Sequence, residues 1–315
     1  MSRTVARVVD STKINPAISR LIGTVDIDGA GTEHPLPEVD PFMLLDQGTV
    51  PKDGMPKFGP HPHRGHSVVT LLLQGAVKNW DSFKSKDQPR NILKAPASYW
   101  VDAGSGLFHD EVSVIENEED PSQHMKIFQL WISVAEADRS KPPRVQISDT
   151  LLTVECLDPA SGKVVGKATH YVGEGSGIET IHPICVSHVT QQAGTTYRVP
   201  MVPSHGGFVV HMNGKASYDN TEVESTNSVV VLENSDGNSA APDYLQVSTA
   251  ADSDTDVEYL VCSGERIQEP WTKKLVASGA LICKTTEEGR ELAEKVEAMS
   301  IAGKKEGGSF APFGL

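Results

Sequence analysis

The sequence predicts an all-β protein: two tandem, jelly-roll-like β-barrels followed by one short C-terminal helix. Phe128, Leu130, Ile132 and Val134 recur at every second position, which is the period of a β-strand with one buried face. Short apolar runs separated by Gly, Pro, Asp and Ser fill both halves of the chain. This density of short strands is typical of β-sandwiches and barrels.

Further apolar runs predict strands in chain order. They are residues 40–46, 67–73, 208–212, 228–232 and 258–262. Turn signals at Gln74-Gly75, Gly206-Gly207 and Asn213-Gly214 separate such runs. The same texture in both halves therefore favours a duplicated barrel.

Residues 286–299 are the one convincing helix in the sequence. Thr285-Thr286 supply an N-terminal cap, acids occupy the first turn, and Leu292 and Val296 fall on one face. From Ala302 onward the chain is rich in Gly and Lys, and we expect a loose tail.

Two Pro-bearing stretches predict the domain boundaries. They lie near Ser140-Lys141-Pro142-Pro143 and near Glu269-Pro270. The predicted domains are an N-terminal barrel at 1–140, a C-terminal barrel at 141–270 and an extension with the helix at 271–315.

Composition excludes several classes of protein. The chain has 315 residues, 38% of them hydrophobic, which is enough for packed cores. A formal net charge of −14 disfavours direct binding to nucleic acid or anionic lipid, although a basic protein partner stays open. Four scattered cysteines, no signal-peptide pattern and no run of 18 apolar residues predict a protein of the cytosol, with the nucleus as a second location. We also expect a monomer.

The most informative feature is a pair of short motifs that combine metal-binding side chains. His61 and His63 are two positions apart, and so are His109 and Glu111. Because residues i and i+2 of a strand share one face, two such strands side by side would converge three imidazoles and one carboxylate. We expect a metal site there with free coordination positions.

Each of these residues, considered alone, could have a structural role instead of binding a metal. His61 and His63 could belong to a polar loop after Gly59-Pro60, and Glu111 could be one exposed acid in an acidic stretch. Together the two motifs favour the metal. Imidazole and carboxylate without thiolate disfavour a structural zinc site and suit Fe, Mn, Ni, Cu, Co or Zn in an open site.

Other polar residues near the motifs have less defined roles. His66 is out of phase with His61 and His63 in a regular strand, so we leave it out of the site. Arg64 could orient a carboxylate or substrate oxygen, or form an ion pair. Asp46 and Asp102 are candidate partners of the ligand imidazoles.

The second half of the sequence has no paired histidine motif. Its histidines are scattered, and we expect no metal in the second barrel. They are His170, His182, His188, His205 and His211.

Segments 59–65 (GPHPHRG) and 103–111 (AGSGLFHDE) resemble the motifs of the pirin family, in the cupin superfamily. Weaker support comes from 20–23, 40–46, 130–132 and 264–270. The resemblance implies a bicupin with metal in the first barrel only. The family's ligands fall on His61, His63, His109 and Glu111, and its usual metal is iron as Fe(II) or Fe(III).

Two functions follow from this resemblance. One is a dioxygenase of quercetin-type flavonols, a small aromatic substrate, with Glu111 as general base. The other is an iron-dependent redox sensor and transcriptional co-regulator that binds a transcription factor without turnover. Ser67, Asn79 and Asp102 depart from the family pattern, which leaves an enzyme for a different small substrate open as a third possibility.

Overall fold

The structure is a computed structural model that describes residues 2–23, 35–50, 59–83, 91–115, 120, 124–234, 243–253 and 255–305. Over these residues the chain forms β-strands throughout, with a short 3-10 helix at Glu136–Asp138 and one α-helix, α1, at Thr286–Lys305. The predicted all-β fold class with a C-terminal helix is confirmed.

The chain divides into two compact units that interleave along the sequence. We call the first the companion unit, which comprises Met1–Asn15, Ser19–Asp46 and Thr150–Arg266. The second is the histidine unit, which comprises Pro16–Ile18, Gln47–Asp149 and Ile267–Leu315. The sequence predicted continuous domains at 1–140, 141–270 and 271–315, and those limits stay a prediction.

The companion unit contains most of the strands of the second half of the chain, together with the first strands. They are β1 Val5–Asp10, β2 Thr12–Asn15, β3 Ile18–Ile22 (from Ser19 onward), β13 Thr153–Leu157, β14 Val164–Val172, β15 Ile184–Gln191, β16 Thr196–Met201, β17 His205–Asn213, β18 Ala216–Tyr218, β19 Thr221–Val223, β20 Ser228–Leu232, β21 Asp243–Thr249 and β22 Val257–Glu265. Two sheets run in the orders β1-β20-β17-β22-β15-β14-β13 and β16-β21-β18-β19. Val209, Val230, Leu245 and Tyr259 lie in the core of this unit.

The histidine unit contains the strands that carry the two predicted motifs. They are β5 His61–Arg64, β6 His66–Gln74, β7 Ala76–Asp81, β8 Asn91–Lys94, β9 Ala97–Asp102, β10 Leu107–Val114, β11 Met125–Ser133, β12 Arg144–Ser148, β23 Thr272–Val276 and β24 Gly279–Cys283, with the end of β4 Phe42–Val50. One sheet has the order β23-β24-β5-β10-β7-β8, and the other contains the run β12-β9-β6-β11. All of their pairings are antiparallel except that of β24 with β5.

Helix α1 covers the side of the β5-β10-β7 sheet that faces away from the motif imidazoles. Leu292 and Val296 pack there against Trp80, Phe108 and Leu281 in one buried cluster. Strand alternation explains the arrangement, since Phe108 is next to His109 and so points to the opposite face.

The predicted helix start is confirmed, and the helix is longer than expected. The Thr285 hydroxyl oxygen accepts a hydrogen bond from the Glu288 amide at 3.2 Å, and the Glu288 carboxylate accepts one from the Lys284 amide at 2.9 Å. The tail expected from Ala302 is wrong as far as Lys305, because α1 continues to that residue. The rest of that tail lies outside the described residues.

Strand positions agree with the alternation in the sequence. The run at 228–232 coincides with β20, and the other predicted strands overlap an observed one. The turn predicted at Gly206-Gly207 is wrong, because both residues lie within β17.

The four cysteines are free thiols. Among the described residues, no helix has the length and apolar character that a membrane span requires.

Candidate metal centre

Strands β5 and β10 bring the two sequence motifs together. They pair antiparallel with His109 directly opposite His61, and Leu107 opposite His63. Residues directly opposite each other in such a pair share a face, and so do residues i and i+2 along a strand. The side chains of His61, His63 and His109 therefore project into the same side of the sheet.

The three imidazoles converge on one point. Their candidate ligand atoms all lie within 4.8 Å of one another. The Nε2 atoms of His61 and His109 are 3.1 Å apart. His63 and His109 are buried, and His61 is partly exposed.

Hydrogen bonds on the far side of two rings place the lone pairs of those rings on Nε2, which faces the centre of the group. His61 Nδ1 lies 2.8 Å from the Gly59 carbonyl, so Nδ1 carries the proton. His66 Nδ1 is likewise 3.0 Å from the Arg64 carbonyl, which leaves His66 Nε2 as an acceptor. His63 Nδ1 then donates to His66 Nε2 at 3.2 Å, and the lone pair of His63 is on Nε2.

These residues fit a transition-metal ion. Two nitrogens that are 3.1 Å apart and each about 2.0–2.1 Å from one ion subtend an angle of about 100° at it. That angle lies between octahedral and tetrahedral values. A set of three imidazoles without thiolate suits an open site for iron, nickel, copper or zinc.

Burial keeps the imidazoles neutral, which is the form that binds metal. Loss of hydration lowers the pKa of His61, and lowers the pKa of His63 and His109 further, where neighbouring imidazoles add to the effect. Burial also lowers the pKa of His66 to about 4. Protons therefore compete poorly for these nitrogens at neutral pH.

His66 supports the site through its hydrogen bond to His63, a role that the sequence argument did not identify. The phase argument assumed a regular strand, but Gly65 has a φ of 77° and separates β5 from β6. The chain turns there, so that His66 reaches the ring of His63. The positive φ that a glycine permits was the one available signal.

Glu111, the fourth predicted ligand, lies outside the group of converging atoms. Its carboxylate accepts hydrogen bonds from Thr70 Oγ1 at 2.9 Å and from Asn79 Nδ2 at 3.2 Å. Glu111 is half-buried by surface area, yet protein atoms crowd its carboxyl, and this desolvation raises its pKa to about 7. Asp110 adds to the rise, whereas the two hydrogen bonds oppose it. The ligand role of Glu111 stays a prediction.

Aromatic rings enclose the imidazoles. The Tyr99 ring stacks on His109 with centroids 6.0 Å apart and planes 13° apart. The Trp131 ring meets those of His63 and His66 at 5.3 and 5.4 Å. These contacts restrict the rotation of the rings, and composition gave no indication of them.

Arg64 anchors the C-terminal segment. It lies on the opposite face of β5 from His61 and His63, and it is buried. Its guanidinium donates to the Ile282 carbonyl at 3.2 Å and pairs with Glu288 at 3.5 Å. Of the two roles left open for Arg64, the structure shows the ion pair.

The two aspartates suggested as imidazole partners have other partners. Arg20 binds Asp46 through two nitrogens. Asp102 accepts hydrogen bonds from Ser67, Trp100 and Arg144 at 2.7–2.9 Å. The hydrogen bonds that orient His61 and His63 are instead made with the Gly59 carbonyl and with His66.

Only one of the three altered family positions lies at the site. Asn79 contacts Glu111. Ser67 and Asp102 bond to each other at 2.8 Å on the face of β9 that carries Trp100, opposite the face of Tyr99.

The companion unit shows no comparable group among its described residues. His61, His63 and His109 are the one set of three or more candidate ligands found in the described chain. His211 illustrates the structural role of a histidine in the companion unit, with Nδ1 at 2.8 Å from the Tyr218 hydroxyl and Nε2 at 3.0 Å from the Gly214 carbonyl. A second barrel without metal stays a prediction.

Comparison with known proteins shows which family the first half of the chain is similar to. Residues 25–132 match the family model described as Pirin. Over these residues the chain is similar to the pirin family. A relative from Pseudomonas aeruginosa, provisionally named a quercetin 2,3-dioxygenase, is 28% identical over 271 residues, covering 82% of this chain and 85% of the relative.

Solved structures share the bicupin fold of this chain. A quercetin 2,3-dioxygenase from Acinetobacter baumannii matches with a TM-score of 0.72 at 18% identity, over 95% of this chain and 98% of that one. The Escherichia coli pirin YhhW in complex with nickel(II) matches with a TM-score of 0.55 at 12% identity, over 82% and 98%. At these identities the two structures show the fold.

Proposed function

We propose that this protein is a metal-dependent dioxygenase that acts on a quercetin-type flavonol. The observation that carries the proposal is the convergence of three neutral imidazoles, with Nε2 of His61 3.1 Å from Nε2 of His109. The name of the Pseudomonas aeruginosa relative supports the choice of substrate.

The three imidazoles would hold the metal, with iron as the first choice and manganese, nickel, copper, cobalt or zinc as alternatives. When bound, such an ion supplies Lewis acidity toward a substrate oxygen and electronic coupling to O2. His66 and the Gly59 carbonyl keep the Nε2 lone pairs directed at the centre. The Tyr99 and Trp131 rings limit access of water to it.

Glu111 would act as the general base. It lies on the same face of β10 as His109, so its carboxylate and the metal ligands face a common space. Thr70 and Asn79 hold that carboxylate by hydrogen bonds. The enolic hydroxyl of the flavonol would transfer its proton to this carboxylate, leaving the substrate oxygen as an anion.

The direct test uses the full chain loaded with ferrous iron and quercetin in air-saturated buffer. The expected result is loss of flavonol absorbance and release of carbon monoxide, both dependent on the metal. His109→Ala should lower the metal affinity by about 100-fold or more, since loss of a mere supporting group costs 10–100-fold. Protein with a full complement of metal and no flavonol loss would contradict the enzyme.

The Glu111→Gln variant distinguishes a general-base role of Glu111 from a metal-ligand role. As a base, Glu111 is dispensable for binding, so the variant should keep its metal and lose about 10²–10⁴-fold in rate. Elemental analysis and the absorbance assay measure the two effects, with His188→Gln in the companion unit as a control. Loss of metal from Glu111→Gln would instead support the ligand role predicted from sequence.

A further inference from the structure

Two buried polar atoms beside the imidazoles have no hydrogen-bond partner among the described residues. They are the hydroxyl oxygen of Tyr99 and the amide oxygen of Asn79. Tyr99 is 1% exposed and Asn79 is fully buried. Buried polar atoms are nearly always paired, so an unpaired one marks a position that a ligand or a water completes.

The two atoms belong to opposing sheets of the histidine unit. Tyr99 lies on β9, with its ring stacked on His109. Asn79 lies on β7, directly opposite Glu111 of β10. Because the Asn79 amide nitrogen donates to Glu111, its oxygen is turned away from that acid as a free acceptor.

An open cleft of about 550 Å³ lies between the edge strands β8 and β12. The cleft is lined by four apolar residues, Phe83, Pro143, Val145 and Ile147, and by two polar residues, Asp81 and Asn91. Phe83 and Ile147 are 49% and 37% exposed, so the cleft presents apolar surface. A volume of this size is in the usual range for small-molecule sites.

Strand register joins the cleft on one side to the row of site residues. Asp81 is directly opposite His109, and Asn91 is directly opposite Asn79. Directly opposed residues share a face of the sheet. Asp81 and Asn91, the polar residues of the cleft, therefore lie on the same face of the sheet as His109 and Asn79.

The opposite wall shows the same continuity. Ile147 of β12 is directly opposite Tyr99 of β9, and Val145 is opposite Val101. These residues share the face that carries the Tyr99 ring. Both walls of the cleft are thus extensions of the surfaces that enclose the imidazoles.

We propose that the cleft between β8 and β12 is the substrate entrance, and that Tyr99 and Asn79 recognise hydroxyl groups of the substrate. This proposal rests on the proposed function and specifies its substrate class. One aromatic ring lies in the cleft between Phe83 and Ile147, while the hydroxylated part reaches Tyr99, Asn79 and the imidazoles. The site takes planar, polyhydroxylated molecules of more than one ring.

The chemistry of the two atoms sets the selectivity. The Asn79 oxygen accepts a hydrogen bond from a substrate hydroxyl, and the Tyr99 hydroxyl donates to the oxygen of another substrate hydroxyl. A site built to bond a hydroxyl discriminates strongly against an analogue that lacks it, because its own polar groups then stay unpaired. Flavone, which has no hydroxyl groups, should bind much more weakly than quercetin.

Two variants test the two parts of the subsite. Tyr99→Phe keeps the stacked ring and removes the hydroxyl, and Ile147→Arg puts a charge into the cleft. Quercetin, flavone and catechol are titrated into iron-loaded full-length protein without O2, following tryptophan fluorescence. Leu157→Arg, at an exposed apolar position of the companion unit, is the matched control.

Tyr99→Phe should weaken quercetin binding about 10-fold and leave flavone binding unchanged. Ile147→Arg should weaken quercetin binding by at least that much and spare catechol, which is too small to reach the cleft. Metal content should stay constant in all variants. Unchanged quercetin affinity in both variants, or no binding of any polyhydroxylated aromatic to the wild-type protein, would overturn the subsite.

The outcomes distinguish the subsite from the reaction. Quercetin that binds with these dependences but is not consumed under O2 supports the subsite and contradicts the dioxygenase. Quercetin that is consumed by Tyr99→Phe and Ile147→Arg at the wild-type rate and KM supports the dioxygenase and overturns the subsite.

Discussion

At the scale of single residues, the site depends on which imidazole nitrogen carries its proton. His63 can present Nε2 to a metal because Nδ1 donates to His66, which is itself fixed by the Arg64 carbonyl. This series of hydrogen bonds buries no charge, because all of its groups are neutral. Its last acceptor is a backbone carbonyl, which cannot turn away as a side chain can.

Replacing His66 should therefore weaken metal binding without removing a ligand. In His66→Phe the Nδ1–H of His63 loses its acceptor, and we expect a 10–100-fold loss of metal affinity. His66→Gln should recover part of it, because the amide oxygen can accept the same hydrogen bond. Chelator competition measures the affinity, with His188→Gln as control. Equal metal affinities of His66→Phe and wild type would show that metal binding by His63 does not depend on its hydrogen bond to His66.

The sequence predicted three of these side chains and missed their supports for a specific reason. The spacing of His61, His63 and His109 follows directly from strand alternation. His66 required knowledge of the turn at Gly65, and the position of Tyr99 beside His109 depends on how two sheets face each other. Sequence spacing carries neither kind of information.

At the scale of elements, the strand β5 is held on both edges. It pairs with β10 on one side and, in parallel, with β24 from the C-terminal segment on the other. Gly279 of β24 lies so close to β5 that an added Cβ would be 1.8 Å from the Pro62 carbonyl oxygen. Backbone cannot move aside as a side-chain end can, so this position requires glycine.

Gly279→Val should consequently displace β24 and disturb the strand that carries two ligands. Overpacking of this kind costs about 1–3 kcal/mol. We expect a lower free energy of unfolding and weaker metal binding together, measured by chemical denaturation and chelator competition. Gly289→Ala is the control, because it lies in α1, where its Cβ would be 3.3 Å from Lys274 and alanine favours the helix. A Gly279→Val protein with wild-type metal affinity would show that β24 does not support the site.

Element types were predictable here, whereas pairings and some glycines were not. The run at 228–232 has the same bounds as β20 because a buried strand is a continuous apolar run. Gly206-Gly207 resembled a turn, but a Cβ on Gly206 would lie 2.1 Å from the Asp40 carbonyl oxygen. These glycines permit a close backbone approach within a strand, which sequence alone cannot tell from a turn.

At the scale of the whole molecule, distant segments complete each unit. β1 pairs with β20 in the companion unit, and β24 pairs with β5 in the histidine unit. Alternation predicts that each segment is a strand but not which strand it will meet. The sequence therefore predicted two barrels and a C-terminal helix, while the interleaving of the units followed only from the structure.

The imidazoles also make the stability of the metal-free protein depend on pH. The pKa of His66 falls from an ordinary value near 6.5 to about 4 on folding, because the ring is buried. Between these values the unfolded chain binds a proton that the folded chain does not. The stabilisation is complete above pH 6.5 and is lost as pH falls toward 4, by roughly 3 kcal/mol for this group. The lowered pKa values of His63 and His109 act in the same direction.

Glu111 opposes this trend, which makes it the residue to change. Its pKa is raised from 4.5 to about 7, so the folded chain binds the extra proton, and its contribution is complete below pH 4.5 and lost as pH rises through 7. Metal-free Glu111→Gln should therefore lose stability more steeply than wild type on acidification from pH 7 to 4.5. Denaturant unfolding at each pH measures this, with exposed Glu291→Gln as control. Parallel curves for Glu111→Gln and wild type would mean that folding leaves the Glu111 carboxyl as acidic as in the unfolded chain.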